Sequence, residues 1–197
     1  MNDITCPAAI LQEPFFSADA DDALNYGGIG YVIGHELTHG FDDQGRKYDE
    51  NGNLHLWWSP DEIQAFNART NILTQQFDNY KVLDTNINGK LTLGENIADL
   101  GGLEITYQAF LRTRQAKENI PIDGFTPKQR FFLAFGRTWR VKLTKEKLLS
   151  NIKEDPHAPA VARINGPLSN MIGFYKLYNV TKDDALFRES KDRVRIW

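Results

Sequence analysis

The chain has 197 residues, of which 41% are hydrophobic and 25% charged, and this length suits one domain with a substantial core. Its formal net charge of −3 gives no electrostatic argument for binding to nucleic acid or to an acidic membrane surface. The single cysteine, Cys6, excludes an internal disulfide framework, and no apolar run is long enough to span a bilayer.

The N-terminal part of the chain is predicted to lead from an extended segment into a glycine-rich helix. Residues 4–16 contain two prolines, which favour an edge strand. The acidic run at residues 19–22 suits the first turn of a helix, where negative charge is stabilised. Gly27, Gly30 and Gly34 fall on one stripe of this helix, which indicates close helix packing. A dinucleotide-binding loop is the alternative for the Gly-x-Gly pattern, but no strand precedes it.

That helix contains the sequence His35-Glu36-Leu37-Thr38-His39, with two histidines four residues apart and so on one face. Neutral imidazoles suit a zinc ion, and Glu36 on the flank can take a proton from a water bound to the metal. The alternative is that the histidines only cap or pack the helix. Two histidines and a glutamate would be costly to bury in an apolar helix without a partner, and this favours the metal.

A second apolar helix begins near Thr92 and carries Glu95 and Asp99 on one face, four residues apart. Two histidines and Glu95 would leave a fourth coordination position open for water, as catalytic zinc sites do. Asp99 would accept the outer N–H of a ligand histidine and fix its tautomer, and Asp42 is a second candidate for that role. The alternative, a solvated helix face, is disfavoured because the surrounding residues are apolar.

The rest of the chain also reads as helical. A helix is predicted from Ser59 to about residue 80, and the helix of Glu95 is predicted to extend to about residue 117. Capping residues predict three later helix starts, at Thr126, Thr144 and Thr181. No internal repeat or domain linker is present. The predicted architecture is one mainly α domain over residues 1–197 with little β-sheet.

Taken together, these motifs resemble the C-terminal catalytic portion of zinc endopeptidases of the neprilysin and endothelin-converting-enzyme family. The resemblance covers nearly all of the chain. Besides the His35 and Glu95 motifs, it rests on Arg163 and on seven segments: Pro7-Ala8-Ala9-Ile10-Leu11-Gln12, Phe15-Phe16, Leu24-Asn25-Tyr26-Gly27-Gly28-Ile29-Gly30, Trp57-Trp58, Phe131-Phe132-Leu133, Asp155-Pro156-His157 and Arg193-Val194-Arg195-Ile196-Trp197.

The resemblance implies a fold that is thermolysin-like around the zinc helix. It also implies a mostly helical covering domain encoded upstream of Met1, together with a substrate-binding strand just before Asn2. For localisation it favours an extracytoplasmic enzyme, whether periplasmic, secreted or a membrane-anchored ectodomain. The segment itself gives no indication of membrane contact or of oligomeric state.

The resemblance further implies roles for residues outside the two helices. Asp155, His157 and Arg163 form a set of groups suited to developing negative charge. By resemblance, His157 stabilises the oxyanion, Asp155 orients His157, and Arg163 binds a substrate carbonyl beyond the scissile bond. Four residues match the pocket for the residue after the cut, which implies cleavage before hydrophobic residues, although core packing is the alternative for each: Ile10, Phe15, Val32 and Trp139.

The sequence therefore predicts a zinc metalloendopeptidase acting on oligopeptides. One zinc ion per chain is expected on His35, His39 and Glu95, with Glu36 as general base and then as proton donor to the leaving amine. One alternative is a catalytically incompetent fragment or module that binds zinc or peptide, against which the intact Glu36 and His157 argue. Another is a structural zinc protein, which would lack an open coordination position.

Overall fold

The computed structural model describes residues 3–196, and this part of the chain is mainly helical. Its helices are α1 (Asp22–Asn25), α2 (Tyr31–His39), α3 (Pro60–Asp78), α4 (Leu93–Phe110), α5 (Arg114–Glu118), α6 (Pro127–Thr138), α7 (Lys145–Glu154), α8 (Ala160–Leu168) and α9 (Ile172–Tyr178). A π-helical turn at Tyr26–Gly30 joins α1 to α2 in one continuous run. Two short antiparallel strands, β1 (Lys81–Val82) and β2 (Thr85–Asn86), form a hairpin. The predicted mainly helical fold class with little sheet is confirmed.

The helix that carries both histidines packs closely on α4 because glycines face each other at the contact. A Cβ on Gly34 would lie 2.6 Å from the Gly102 carbonyl oxygen, and one on Gly102 would lie 2.4 Å from the His35 nitrogen. Such distances exclude any side chain at either position. Further along the same run, a Cβ on Gly27 would lie 2.3 Å from the Phe131 carbonyl oxygen of α6. The glycine stripe is therefore a packing surface, as predicted, and it brings His35 alongside α4.

Aromatic side chains of α4 and α6 form a core beside this contact. Phe110 and Phe131 stack with their ring centroids 5.3 Å apart, and Tyr107 lies 5.2 Å from Phe131. Burying each large apolar side chain contributes roughly 1.5–3 kcal/mol, so α4 is firmly anchored. Glu95, in the first turn of α4, and Asp99, one turn later, therefore project from a rigid helix.

Helix starts follow the predicted capping residues. Three predicted cap side chains accept a hydrogen bond from a backbone N–H of the first turn: Ser59 for α3, Thr126 for α6 and Thr144 for α7. Asp21, predicted to lie in the first turn of a helix, instead caps α1 in the same way. Complete capping boxes open α3 and α6. The end of α3 at Asp78 agrees with the prediction of a helix to about residue 80. Across residues 3–196, no helix is long and apolar enough to cross a membrane.

The prediction of an edge strand at residues 4–16 is wrong. The backbone there makes short local hydrogen bonds, from Ile10 N–H to the Pro7 carbonyl at 3.1 Å and from Phe15 N–H to the Gln12 carbonyl at 2.9 Å. The first of them belongs to a 3-10 turn at Ala8–Ile10. The Phe15 carbonyl also accepts the N–H of Ile29 at 2.7 Å, so the segment is tied to the helical run rather than to a strand.

The predicted end of the Glu95 helix and the predicted helix start at Thr181 are also wrong. Because Thr113 caps a separate helix, accepting the Ala116 N–H at 3.2 Å, α4 ends at Phe110 rather than near residue 117. The residues after Thr181 form a turn, because the Asp184 carboxylate accepts both the N–H and the hydroxyl of Thr181, at 2.7 and 3.1 Å. In both places a polar side chain bonded to the nearby backbone decides the local structure.

Candidate metal centre and active site

The three predicted metal ligands converge although they come from two helices. The Nε2 atoms of His35 and His39 on α2 lie 3.0 Å apart. The Glu95 carboxylate of α4 lies 3.2 Å from His35 Nε2 through Oε2 and 3.5 Å from His39 Nε2 through Oε1. Ligands about 2.0–2.1 Å from a tetrahedral zinc ion lie roughly 3.3 Å from one another. The spacing therefore fits zinc.

The outer ring nitrogens define which atoms can face the metal. His35 Nδ1 lies 2.8 Å from Asp99 Oδ1, and His39 Nδ1 lies 2.8 Å from Asp42 Oδ2. An ionised carboxylate only accepts, so both Nδ1 atoms donate, and each ring in its neutral form presents a lone pair at Nε2. Two such lone pairs and the Glu95 carboxylate then face one another. These acceptors repel unless a cation lies among them, and two imidazoles with one carboxylate suit zinc.

Asp99 is the centre of a buried network behind His35. The Arg163 guanidinium of α8 donates from Nε to Asp99 Oδ2 and from Nη2 to Asp99 Oδ1, both at 2.7 Å. The Tyr31 hydroxyl donates to Asp99 Oδ1 at 2.5 Å. Burial disfavours the charged carboxylate, but Arg163 and the hydrogen bond with His35 outweigh it and hold the pKa of Asp99 well below its usual range. Asp99 is therefore a fixed anion.

The carboxylates around the imidazoles also shift the pKa values of the histidines. Burial lowers the pKa of His35, but hydrogen bonds with Asp99 and Glu95 outweigh it and raise that pKa to about 9. For His39, the hydrogen bond with Asp42 raises the pKa against the opposing effect of burial. Both shifts have one origin, since the cluster stabilises positive charge among its carboxylates. A divalent cation bound in the cluster would be stabilised by the same carboxylates.

The three predicted catalytic groups, Glu36, His157 and Asp155, are each at least partly exposed. Glu36 is exposed on α2, next to His35 in the chain. His157 lies in the loop between α7 and α8, where its Nε2 is 3.3 Å from Glu95 Oε2. Asp155 Oδ1 accepts both the backbone N–H of His157, at 2.9 Å, and its Nδ1–H, at 2.8 Å. The structure thus places the predicted Asp155–His157 pair beside the three metal ligands.

Arg163 is more deeply engaged than its predicted substrate contact suggests. It is 7% exposed, and besides its bonds to Asp99 its Nη2 lies 3.3 Å from Glu95 Oε2. Its guanidinium also stacks over the ring of Trp139, 4.2 Å from the centroid. Within residues 3–196, Trp139 Nε1 is a buried donor without a partner. Trp139, predicted as a pocket residue, therefore lies beside the centre.

The other three predicted pocket residues lie on or near the N-terminal helical run. Val32, on α2, is partly buried and packs against the core. Phe15 is half-buried. Its backbone lies directly against Gly28 of the helical run, where an added Cβ would be 2.2 Å from the Phe15 carbonyl oxygen. Ile10 is partly exposed in the turn Ala8–Ile10. These positions leave the pocket assignment as a prediction.

Sequence reasoning missed Tyr31. This residue is 2% exposed, and its ring lies 4.8 Å from that of Phe135 and 5.9 Å from that of Trp139. The available signal was its position four residues before His35, which places it on the same helical face. A tyrosine in an apolar helix reads as core, so the partner of its hydroxyl was not foreseen.

The structure thus brings together His-Glu-x-x-His on α2, Glu95 on α4 and the Asp155–His157 pair, which is the pattern expected of a zinc peptidase. The sequence matches Peptidase family M13 over residues 1–194, and the chain belongs to this family. It is 49% identical over 176 residues to the endothelin-converting enzyme homolog of Locusta migratoria, covering 88% of this chain and 24% of that protein. It is 43% identical over 181 residues to Neprilysin-3 of Drosophila melanogaster, covering 90% of this chain and 23% of that protein.

The fold has a counterpart of known structure. The crystal structure of the zinc metalloprotease Zmp1 of Mycobacterium tuberculosis, in complex with an inhibitor, superposes with a TM-score of 0.91 at 46% identity. The match covers 97% of this chain and 30% of that one. The chain thus spans about a quarter of the length of the two curated relatives, at 24% and 23%. The predicted family resemblance is confirmed.

Proposed function

We propose that this chain carries the catalytic site of a zinc metalloendopeptidase that hydrolyses oligopeptides. The observation that supports this most directly is the cluster in which the Nε2 atoms of His35 and His39 and the Glu95 carboxylate lie 3.0–3.5 Å apart, with both outer ring nitrogens bonded to carboxylates. His35, His39 and Glu95 would hold one zinc ion. Membership of Peptidase family M13 supports the same metal and the same reaction class.

Zinc, when bound, would supply Lewis acidity that lowers the pKa of a water molecule and polarises a carbonyl group. Glu36 would take the proton of the attacking water, a role supported by its exposure and by its place directly after His35 in the His-Glu-x-x-His sequence. As the carbon–nitrogen bond of the peptide breaks, Glu36 would return that proton to the leaving amine. The products are a carboxylate and an amine.

His157 would stabilise the oxyanion of the tetrahedral intermediate. Its Nδ1–H is committed to Asp155 at 2.8 Å, so it donates from Nε2 when both ring nitrogens carry protons. A preorganised donor of this kind acts on charge that develops only during reaction, and such donors contribute roughly 10²–10³-fold to kcat.

The substrate side of the proposal rests on Trp139 and Arg163. Trp139 offers an apolar face beside the centre, which supports a preference for a hydrophobic residue after the cut, with Ile10, Phe15 and Val32 as further pocket candidates. The bonds of Arg163 to Asp99 use Nε and Nη2. We assign its Nη1 to a substrate carbonyl, because a guanidinium carries five N–H donors in a fixed fork.

The test compares Glu36→Gln with the parent protein. The peptide is fluorescence-quenched with a hydrophobic residue after the cut, and zinc is measured in the same samples. We expect one zinc per chain in both proteins and a kcat that is lower by about 10²–10⁴-fold in Glu36→Gln. The matched control is Glu146→Gln, a change of an exposed carboxylate in the first turn of α7. Full activity of Glu36→Gln would refute the general-base assignment, and zinc binding without any cleavage by the parent protein would favour a non-catalytic zinc-binding module.

A further inference from the structure

Tyr31 and His35 reach the same oxygen atom from the same helix. They are one turn apart on α2, and both donate to Asp99 Oδ1 of α4, from the Tyr31 hydroxyl at 2.5 Å and from His35 Nδ1 at 2.8 Å. Arg163 adds a third donor to this oxygen and a bond to the other. The carboxylate behind the candidate ligand His35 is therefore held from two helices, α2 and α8, besides its own.

Packing alone does not account for the hydroxyl of Tyr31. The ring contacts Phe135 and Trp139, and a phenylalanine would make these contacts equally well. A buried hydroxyl costs free energy unless it is hydrogen-bonded, and the bond made here is to the carboxylate that orients a ligand. Burial and the charge of Asp99 raise the pKa of Tyr31 well above its usual range, so the hydroxyl remains a donor.

The other ligand histidine shows what such a contact supplies. Asp42, behind His39, is fixed by backbone N–H groups of its own turn, which donate to Oδ1 from Gln44 at 2.8 Å and from Gly45 at 2.7 Å. Asp99 lies within a helix, where the backbone N–H groups are occupied by helical bonds. Tyr31 and Arg163 take the place of those missing backbone donors.

We propose that Tyr31 is a positioning residue of the metal centre. Its hydroxyl fixes the Asp99 carboxylate, and Asp99 in turn fixes the ring of His35 so that Nε2 faces His39 and Glu95. The inference rests on the proposed function for the assignment of these three residues as zinc ligands. It extends the assignment to a third side chain of α2, besides His35 and His39, and this one touches neither metal nor substrate.

The test is the variant Tyr31→Phe, which removes one oxygen atom and keeps the ring. Zinc release to an excess of a coloured chelator and the visible spectrum of the cobalt(II)-loaded protein are recorded. Removing a partner of a ligand histidine typically costs 10–100-fold in metal affinity, and Tyr31 acts one bond further out. We therefore expect zinc release to be faster by about 3–10-fold, at or below the low end of that range. The cobalt bands, which report ligand geometry, are expected to shift.

Tyr175→Phe is the matched control. The Tyr175 hydroxyl is also buried, and it bonds to the carbonyls of Ser169 and Leu186, both at 3.0 Å. Its removal is expected to lower the free energy of unfolding measured in EDTA, with zinc release and the cobalt spectrum unchanged. If Tyr31→Phe matches the parent in both metal readouts, or if Tyr175→Phe changes them equally, Tyr31 has no positioning role and the ligand assignment still stands. If the parent protein itself binds no zinc, the ligand assignment and the inference from it both fail.

Discussion

The candidate centre has a buried half and an exposed half, and the two differ in how their groups are held. In the buried half, Asp99 is fully enclosed and bonds to His35, Tyr31 and Arg163. In the exposed half, Glu36 lies open on α2, and the His157 side chain is 48% exposed with Asp155 as its hydrogen-bond partner. Ligand-holding groups are thus fixed by several contacts, whereas the proposed reacting groups have few.

Physical chemistry explains this division. Metal ligands must keep one geometry, and buried hydrogen-bond networks with all members satisfied provide such rigidity. A general base must instead meet water and substrate, and a group that is already saturated with protein donors would be a poor proton acceptor. The cost of the buried half is the removal of Asp99 and Arg163 from water, which their close pairing and the hydrogen bonds of Asp99 with His35 and Tyr31 offset.

The largest expected effect tests the buried half. Asp99→Asn keeps the shape of the side chain but removes the carboxylate that pairs with the buried Arg163 at 2.7 Å, leaving only the longer contact with Glu95 at 3.3 Å. Breaking a buried pair in this way costs about 3–5 kcal/mol. The free energy of unfolding is measured by urea denaturation in EDTA, so that zinc does not contribute. Asp155→Asn is the same change in the exposed half, and there we expect a loss of no more than about 1 kcal/mol. Equal losses would remove the distinction between the halves.

A somewhat smaller effect tests the exposed half. His157→Ala is expected to lower kcat by roughly 10²–10³-fold, or about 2.7–4 kcal/mol, because its donor acts on charge that exists only during reaction. KM and zinc content should stay close to those of the parent, and steady-state kinetics with metal analysis measure all three. The control His55→Ala removes another exposed histidine that lies near a carboxylate, Asp49, at 3.9 Å. A loss of zinc in His157→Ala would move His157 from the reacting groups to the ligand-holding ones.

The sequence predicted those parts of the site that depend on local spacing. His35 and His39, four residues apart, needed only a helix to share a face, and the caps that define the helix starts are also local. The end of α4 was predicted too late, and a helix start was wrongly predicted at Thr181, for a related reason. There, Thr113 and Asp184 bond to nearby backbone groups in competition with the helix, and periodicity does not reveal which bond wins.

The network behind His35 could not be predicted, because it depends on tertiary contacts. Arg163 lies 64 residues from Asp99 in the chain, and Tyr31 lies 68 residues from it. Their meeting requires the close contact of α2 with α4 that Gly34 and Gly102 allow, and also the packing of α8 onto α4. The glycines were correctly taken as packing residues, yet their stripe does not identify the helix that packs there.

The smallest expected effect compares the two supports of the ligand histidines. Asp42 is held by its own turn, so Asp42→Asn should disturb the fold little but disturb the tautomer of His39. In either orientation, the new NH2 group faces a donor, which is His39 Nδ1–H on one side or the backbone N–H groups of Gln44 and Gly45 on the other. If the proton of His39 moves from Nδ1 to Nε2, so that Nδ1 accepts from the new NH2 group, the lone pair at Nε2 no longer faces the metal. Zinc affinity, measured by chelator competition, should then fall by about 10–100-fold, or roughly 1.4–2.7 kcal/mol.

Asp43→Asn provides the control for that change, because Asp43 is the neighbouring carboxylate and its Oδ2 bonds to the Gln44 side chain rather than to a ligand histidine. Its zinc affinity should equal that of the parent. An Asp42→Asn protein with parental zinc affinity would show that a carboxylate in a local turn is dispensable. Support for the centre would then come from the buried half alone, where Asp99 accepts hydrogen bonds from side chains of α2 and α8.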